Sequence, residues 1–362
     1  MVTDASGAAD GRIPVTVLGA TGSVGQRLVS LLEEHPWFRI VRLTASERSA
    51  GRAYGDAARW VLPSPIPRGV RGTIVDVTEA AGDVPLVFSA LDSSVAGPVE
   101  EDFARAGAMV VSNAKNHRMD TVVPLLVPEV NPEHLDLLAA QDYGGGIVTN
   151  PNCSTIGLTL ALAPLHRAFG VRKVHVVTLQ AVSGAGLPGV SSLQLLDNVI
   201  PFISGEEEKI EIETRKILGS VRGSEVVYAD ITVSAQCTRV PVVDGHTLCV
   251  SVALEGDPSM DDVRAAWADF AAPPHTVGLP SAPERPVVYV EEPDAPQPRL
   301  HRLLGGGMAC SVGRLRPCPL LGLKFVTVSH NTLRGAAGGT LLCAEMLVAQ
   351  DRVAGVEAPT RP

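Results

Sequence analysis

Aromatic residues are scarce in this 362-residue chain, since phenylalanine, tryptophan and tyrosine together make up 4% of it. The core must therefore be built mainly from valine, leucine, isoleucine and alanine. Basic residues are also in deficit, because 30 lysines and arginines face 39 aspartates and glutamates and the formal net charge is -9. A chain with this balance has no broad basic surface, which argues against a general nucleic-acid binder. A small anionic substrate is not excluded, because a few local arginines and lysines suffice to bind one.

Long apolar runs and paired cysteines are missing as well. No stretch approaches the ~20 apolar residues of a membrane span, and residues 1–12 carry no apolar segment typical of a secretory signal. The six cysteines form no CxxC pair and no Cys/His spacing typical of zinc. We therefore expect a cytoplasmic protein with reduced thiols, no metal, and no membrane or nucleic-acid partner.

The chain is too long for one ordinary core, so two domains are expected. Strands alternate with helices up to residue 150, which predicts an α/β fold with a Rossmann-type parallel-sheet nucleotide-binding domain over 12–150. Long strands with few helices follow, which predicts a second, α+β domain with a mixed sheet over 151–330. A helix at 331–350 is expected to pack back on the first domain. Residues 1–11 and 351–362 are expected to be flexible tails, and the proline-rich stretch 272–300 a surface loop.

A glycine turn, GATGSVG at 19–25, follows the first predicted strand and opens a helix. Glycines there let the backbone turn tightly and approach a pyrophosphate over the helix N-terminus. The spacing is GxxGxxG rather than GxGxxG, so a plain strand-to-helix turn is the alternative interpretation. The position at the start of an α/β domain favours nucleotide binding. The expected contacts are Gly19, Thr21, Gly22, Ser23 and Val24.

The end of the second predicted strand indicates which nicotinamide cofactor is used. A basic residue there accepts the 2′-phosphate of NADP, whereas an acidic residue holds the free ribose of NAD. Ser46, Arg48 and Ser49 suit a phosphate, while Glu47 could instead bond a ribose. NADP(H) is the favoured cofactor.

Cys153, in the segment Asn150-Pro151-Asn152-Cys153, stands between a short strand and a predicted helix. A helix N-terminus lowers the pKa of a thiol, and its backbone N–H groups can bind a developing oxyanion. The alternative is a cysteine that only packs, and position alone leaves both interpretations open. The other five cysteines are expected to be structural.

A nucleophile needs a proton partner, for which His246 is the candidate. It follows a turn between two long strands, where a histidine is usually just exposed, and the pattern does not separate it from the other histidines. Arg239, near the same turn, can hold a carboxylate close by and so favours His246. Asn113, Lys115 and Arg118 form a further polar cluster after a strand end, which is either a solvated loop or an anion site at the sheet edge.

Eight segments together resemble aspartate-β-semialdehyde dehydrogenase, in its archaeal and fungal branch, over about residues 13–350. They are GATGSVGQR, TASERSAG, SNAKN, NPNCSTIG, VSGAGLPGVSS, NVIPFISGEEEKIE, RVPVVDGH and SHNTLRGAAGG, in that order. The resemblance implies an NADP-dependent oxidoreductase of amino-acid biosynthesis, toward lysine, threonine and methionine. Such an enzyme reduces L-aspartyl 4-phosphate to L-aspartate 4-semialdehyde and releases phosphate, through a cysteinyl thioester. It also implies that the 151–330 domain is catalytic and forms a homodimer or homotetramer.

The resemblance further assigns roles to residues of this sequence. Cys153 would be the nucleophile, His246 the general acid/base with a pKa near the operating pH, and Gln180 the group that orients the acyl intermediate. The implied substrate-binding residues are Arg239 for the α-carboxylate, Glu206 for the amino group, and Lys209, Arg118, Asn113 and Lys115 for the phosphate. Glu207 and Glu208 remain alternatives to Glu206. Further implied cofactor contacts are Ser183, Gly184, Gly186, Asn331 and Thr332.

Other functions on the same scaffold stay open. A malonyl-CoA reductase, or another acyl-phosphate or acyl-CoA reductase, would use the same chemistry, but Glu206 and Arg239 favour an amino acid substrate. N-acetyl-γ-glutamyl-phosphate reductase is a further enzymatic alternative, with a different motif expected around its cysteine. A non-catalytic NADP-binding regulator is disfavoured by the presence of both Cys153 and His246.

Overall fold

The computed structural model describes residues 11–82 and 84–359, so residues 1–10 and 360–362 of the expected tails lie outside the described residues. Within 351–359, also expected to be a flexible tail, Arg352, Val353 and Val356 instead contact the first domain. Val353 is 3% exposed within its core, and Arg352 Nη2 lies 2.7 Å from Asp136 Oδ1. No helix in the described ranges combines the length and the apolar character needed to cross a membrane.

The first sheet has six parallel strands within the described residues. They are β1 (Ile13–Leu18), β2 (Phe38–Ala45), β3 (Asp76–Val77), β4 (Leu86–Ser89), β5 (Met109–Ser112) and β6 (Gly146–Thr149). Their order in the sheet is β3-β2-β1-β4-β5-β6, which is the order of a Rossmann fold. Strands 1 to 3 are added toward one edge and strands 4 to 6 toward the other, so the order of addition reverses between β1 and β4. β1 and β4–β6 are buried apolar runs, as expected of parallel strands with helices on both faces.

Helices cover this sheet on both faces. They are α1 (Ser23–Leu32), α2 (Tyr54–Ala57), α3 (Arg68–Arg71) and α4 (Ala96–Arg105), with a 3₁₀ helix at Pro132–Ala140. The amphipathic helix α1 buries Leu28, Val29 and Leu32, and its N-terminus follows the glycine turn as predicted. The turn therefore lies at the point where the strand order reverses, which is where ligands bind in such sheets.

The second sheet is mixed, with the order β10-β7-β11-β14-β13-β12. Its strands are β7 (Val171–Gln180), β10 (Thr232–Arg239), β11 (His246–Leu254), β12 (Val287–Val290), β13 (Cys310–Cys318) and β14 (Gly322–Ser329), and β8 (Ser220–Arg222) pairs separately with β9 (Glu225–Val227). The helices are α5 (Cys153–Phe169), α6 (Ser192–Leu195), α7 (Glu206–Ile217), α8 (Met260–Ala268) and α9 (Pro298–His301). α5, α7 and α8 pack against the strands and share a core with them.

The proline-rich stretch is not only a loop, so the prediction for 272–300 was wrong in part. β12 lies inside it and pairs with β13 in parallel at the edge of the mixed sheet. Prolines at 286 and 293 flank this four-residue strand, and a short edge strand bounded by prolines carries little periodic signal.

The C-terminal helix α10 (Gly338–Ala349) packs against the first sheet. It is apolar all round, and Leu341, Leu342 and Met346 lie in the same core cluster as the strands β1 and β4. A π-helical turn at Leu333–Ala337 leads into it and contacts α5. The chain thus crosses from the second domain to the first beside the N-terminus of α5.

Candidate active site

Two adjoining crevices open at the carboxyl edge of the parallel sheet. The first, a cavity of about 830 Å³, is lined by the glycine turn, by the end of β2 and by Ala90 after β4. The second, about 550 Å³, contains Cys153 and shares Ser23, Val24 and Gly186 with the first. A ligand in the first crevice therefore reaches the second through these shared walls.

The glycine turn is shaped by close backbone approaches. Gly19 has a φ of +69°, and a Cβ on it would lie 2.6 Å from the carbonyl oxygen of Ala90. A Cβ on Gly25 would lie 2.2 Å from the carbonyl oxygen of Gly19, so only glycine lets α1 start this close to the turn. The first turn of α1 carries no acidic residue. Its N-terminus can therefore receive a pyrophosphate without like-charge repulsion.

At the far end of the first crevice, Ser46, Glu47 and Arg48 line the wall and are exposed. Ser49, which was grouped with them from the sequence, is buried at 8% exposure, and its N–H donates to the carbonyl of Ser46. Ser49 shapes the turn, while Ser46 and Arg48 present their side chains to the cavity.

Cys153 is the first residue of α5, as predicted from the sequence. Asn152 caps the helix, because its Oδ1 accepts from the N–H groups of Ser154 at 2.9 Å and Thr155 at 3.2 Å. The expectation of a lowered thiol pKa is wrong for this state. Burial raises the pKa of Cys153 to about 12 and the Glu206 carboxylate adds to the rise, while Arg118 and Arg239 oppose it.

His246 is fully buried at the start of β11, not exposed beside its turn. Its Nε2 lies 3.1 Å from Cys153 Sγ, and its Nδ1 accepts from the N–H of Ala181 at 3.0 Å. Because Nδ1 accepts, the proton of the neutral ring sits on Nε2 and points at the sulfur. Burial and then the charges of Arg239 and His330 lower the pKa of His246 to about 3, so the expected pKa near neutrality is wrong for this state.

Strand ends bring Gln180 and Arg239 together. They are partners in the parallel pairing of β7 with β10, and each is the last residue of its strand. Arg239 Nη1 donates to the carbonyl of Ala181 at 2.7 Å, and Gln180 Nε2 donates to Glu206 Oε1 at 3.2 Å. Both side chains line the cysteine crevice.

The triple glutamate at the start of α7 is resolved by the direction of each side chain. Glu206 is buried and lines the crevice, where its Oε1 accepts from Asn152 Nδ2 at 2.7 Å. Glu207 turns to the mixed sheet and accepts from the N–H of Cys237, and Glu208 lines a different surface depression. Of the three, Glu206 lines the crevice that contains Cys153.

Cationic and amide groups form one wall of the cysteine crevice. It is lined by Asn113, Lys115, Arg118 and Lys209. Arg118 Nη2 donates to the carbonyl of Asn113 at 2.8 Å, and Lys209 Nζ lies 3.2 Å from Glu206 Oε2. Ser183, Gly184, Asn331 and Thr332 complete the crevice. The polar segment after β5 is therefore a wall of the site and not a free loop.

Comparison with known proteins is unambiguous once this geometry is in place. Residues 14–138 match the family model described as semialdehyde dehydrogenase, NAD binding domain, and residues 162–334 match semialdehyde dehydrogenase, dimerisation domain. An aspartate-semialdehyde dehydrogenase of Methanothermobacter thermautotrophicus is 51% identical over 92% of this chain and 99% of its own length. The chain belongs to the aspartate-semialdehyde dehydrogenase family. A second relative of that name, from Archaeoglobus fulgidus, is 48% identical over 93% of this chain and 98% of its own.

The fold agrees with solved structures of this family. The Candida albicans aspartate semialdehyde dehydrogenase, a crystal structure with NADP, superposes with a TM-score of 0.88 at 44% identity and covers 94% of this chain and 100% of its own. A structure from Vibrio cholerae complexed with ASA reaches a TM-score of 0.74 at 28% identity, over 93% of this chain and 98% of its own. The resemblance seen in the eight segments and the predicted fold class are confirmed.

The site of this family member also uses residues that the sequence did not single out. Asn152 caps the helix that begins at Cys153, Glu213 accepts from the backbone N–H of Asn152, and Gly335 lies against Cys153. Glu213 had a detectable signal, since it lies seven residues after Glu206 and so two helical turns along one face. Gly335 had none, because only the crossing between domains brings it near the cysteine. Within residues 11–82 and 84–359, no three or more His, Cys, Asp or Glu side chains are placed to hold a metal ion.

Proposed function

We propose that the chain reduces L-aspartyl 4-phosphate to L-aspartate 4-semialdehyde with NADPH, releasing phosphate, through a thioester on Cys153. One observation carries the proposal: Cys153 Sγ lies 3.1 Å from His246 Nε2 in a crevice that adjoins the dinucleotide crevice. Membership of the family supports it, since the relatives named above bear the name of this activity.

The residues present fit NADP(H), which the Candida albicans structure contains. The missing side chains at Gly19 and Gly25 let the turn pack closely between β4 and α1, and the N-terminus of α1 offers N–H groups to a pyrophosphate. Ser46 and Arg48 would hold a 2′-phosphate. The remaining contacts proposed for the cofactor are Gly19, Thr21, Gly22, Ser23, Val24, Ser183, Gly184, Gly186, Asn331 and Thr332. When bound, NADPH supplies the hydride.

Binding would place the acyl carbon against the sulfur. Arg239 would hold the α-carboxylate and Glu206 the amino group, because both are buried on the wall of the crevice. Lys209, Arg118, Lys115 and Asn113 would hold the phosphate. A cluster of cations beside the leaving group stabilises the charge it gains as the carbon–oxygen bond breaks.

The thiolate of Cys153 attacks the acyl carbon, a carbon–sulfur bond forms, and phosphate leaves with the electrons of the broken carbon–oxygen bond. Burial and then the Glu206 carboxylate raise the pKa of the thiol, and Arg118 and Arg239 oppose that rise and so favour the thiolate. Gln180 borders the acyl group and would orient it. After reduction of the thioester, the tetrahedral oxyanion collapses to the aldehyde as the carbon–sulfur bond breaks and the thiolate leaves.

The geometry supports a specific part for His246. Its Nε2–H points at the reacting centre and can donate to the oxygen that gains negative charge during acylation and during reduction of the thioester. A neutral ring that donates in this way stabilises the oxyanion without itself losing the proton. The general acid/base role remains a prediction, which the pH dependence of turnover would test.

The test is a panel of acyl donors with a nucleophile variant. We expect reduction of aspartyl phosphate, and not of malonyl-CoA or N-acetylglutamyl phosphate, because Glu206 and Arg239 match an amino acid with a free amino group. The variant Cys153→Ser should lose at least ~10³-fold in turnover, since a serine hydroxyl in this site has no comparable nucleophilicity. Turnover with malonyl-CoA alone would overturn the substrate, and full activity of Cys153→Ser would overturn the thioester.

We also propose that residues 12–150 with 331–350 bind the cofactor, and that 151–330 form the catalytic and dimerisation domain of a cytoplasmic homodimer or homotetramer. The match to a dimerisation domain over 162–334 supports this assembly. So does the mixed sheet, whose strands β7 and β11 expose His175 and Cys249 on the face turned away from α5. Light scattering after gel filtration measures the state, and a monomer at micromolar concentration would contradict it.

A further inference from the structure

We propose that Glu213, on helix α7, is a positioning residue. It fixes the Cys153 nucleophile relative to the anion site at Arg118. The inference takes the identity of the substrate from the proposed function. The contacts on which it is based are independent of that function. Glu213 lies in the middle of α7, is 2% exposed, and belongs to none of the crevice walls.

The carboxylate of Glu213 uses both of its oxygens, each toward a different part of the site. Its Oε1 lies 3.0 Å from Arg118 Nη1, and its Oε2 accepts from the backbone N–H of Asn152 at 2.7 Å. Charge-assisted hydrogen bonds of this length are the strong ones in proteins. One side chain thus connects the peptide just before the nucleophile to the guanidinium on the polar wall.

Asn152 is held by α7 at two points. Its backbone N–H donates to Glu213 and its Nδ2 donates to Glu206, each at 2.7 Å. Glu206 and Glu213 are seven residues apart on one face of the helix, so they contact Asn152 from positions two turns apart. Since Asn152 Oδ1 also caps α5, the start of the helix that carries Cys153 is located by α7.

Arg118 is fixed from the same helix. Its Nη1 meets Glu213 and its Nη2 meets the carbonyl of Asn113, while its buried Nε has no hydrogen-bond partner among the described residues. The N–H of Arg118 Nε is therefore available to donate to an oxygen of a bound anion. Lys216, one turn after Glu213, donates from Nζ to the carbonyls of Arg118, Asp120 and Val123 and so holds the loop itself.

Glu213 also sets the charge that Arg118 presents to the sulfur. The guanidinium of Arg118 lowers the pKa of Cys153, and Glu213 neutralises part of that positive charge through the ion pair. Removal of the carboxylate charge therefore has a predictable sign. The thiolate becomes easier to form, even as the geometry of the anion site is lost.

The test compares Glu213→Gln with Glu211→Gln. Glu211 is a matched control, because it lies on the same helix and its carboxylate also accepts from a backbone N–H, that of Ala235, at 3.0 Å. In Glu213→Gln, the amide Oε1 can still accept from Asn152, but the amide N–H₂ faces the Arg118 donor and the ion pair is lost. Folding of each variant is checked by thermal melting.

Two readouts separate positioning from general support of the helix. For Glu213→Gln we expect the KM for inorganic phosphate, measured in the direction of aldehyde oxidation, to rise roughly 10- to 100-fold. We also expect the midpoint of the pH profile for alkylation of Cys153 by iodoacetamide to move downward by on the order of half a pH unit. Glu211→Gln should leave both within about twofold of the unchanged protein.

Equal effects of the two variants, or an unchanged phosphate KM and alkylation midpoint in Glu213→Gln, would overturn the inference. Alkylation needs no substrate, so a wrong substrate assignment would be visible as absent turnover with an intact alkylation shift. Should Glu213→Gln not fold, Glu213→Asp decides: its shorter side chain keeps the charge but cannot reach both partners, and unchanged kcat and phosphate KM would refute the positioning role.

Discussion

Gly335 offers a test of how closely the proposed nucleophile, Cys153, is positioned. It lies in the π-helical turn at Leu333–Ala337 and faces the first residue of α5. A Cβ added at this position would lie 2.5 Å from the Cβ of Cys153 and 3.0 Å from its Cα. The φ of Gly335 is not positive, so alanine fits the backbone and the conflict is with the cysteine alone.

The size of the effect follows from the distances. Ordinary contacts of a Cβ lie at 3.4–4 Å, so the Gly335→Ala variant must move Cys153 or the turn by about 1 Å. A misplacement of that size costs about 100-fold in rate, and overpacking destabilises the fold by ~1–3 kcal/mol. The contact of 3.1 Å between Sγ and His246 Nε2 is the one most directly disturbed.

The assay is steady-state turnover together with the rate of Cys153 alkylation and the midpoint of urea unfolding. Gly69→Ala is the control, because a Cβ on that helical glycine meets nothing within 4 Å and alanine there should be neutral or stabilise by up to ~1 kcal/mol. We expect Gly335→Ala to fold and to lose about 100-fold in kcat. A kcat within twofold of the unchanged protein would refute the claim that this contact positions the sulfur.

Three other perturbations have defined outcomes. Arg48→Ala should raise the KM for NADP about tenfold and leave that for NAD unchanged, because one charge-assisted contact to a 2′-phosphate is lost; equal losses would contradict this. Burial lowers the pKa of His134 to about 4, below its ordinary 6.5. As the pH falls from 6.5 toward 4, the unfolded chain binds a proton at this histidine and the folded chain does not, so the free energy of unfolding decreases over that range. His134→Gln should therefore remove about 2 kcal/mol of the difference in unfolding free energy between pH 7 and pH 5, measured with urea. Glu345→Gln should lower the free energy of unfolding by about 2 kcal/mol, because the buried carboxylate accepts from His35 and from Ser281; an unchanged melting temperature would show that these bonds contribute nothing.

Local signals in the sequence were sufficient for much of the fold. The glycine turn between an apolar run and an amphipathic helix predicted β1 and α1, and alternation of short apolar runs with helices predicted the parallel sheet. Cys153 begins α5 as predicted, because Asn152 is a strong cap and the preceding proline ends the strand segment. Such features depend on residues that are close in the chain, so they can be predicted from the sequence without knowledge of the fold.

Other predictions failed where distant residues decide. The thiol pKa is raised rather than lowered, because burial and Glu206, far along the chain, outweigh the helix terminus. Whether His246 is exposed or belongs to the site was left open by its position beside a turn, and the fold buries it, with Ala181 donating to its Nδ1 and Ser329 paired beside it. β12 carries little strand signal in the sequence, so its segment was predicted to be a loop. An edge strand needs only one neighbouring strand and can therefore be short and flanked by prolines.

The sequence by itself determined the order of the elements, the helix that begins at Cys153, and, through eight ordered segments, the family. Only the tertiary structure decided which of three adjacent glutamates faces Cys153, that Glu213 ties Asn152 to Arg118, and that Gly335 must lack a side chain. The physical reason is the range of the interactions. Caps, turns and periodicity act over a few residues, whereas burial, charge and close packing act between segments that only the folded chain brings together.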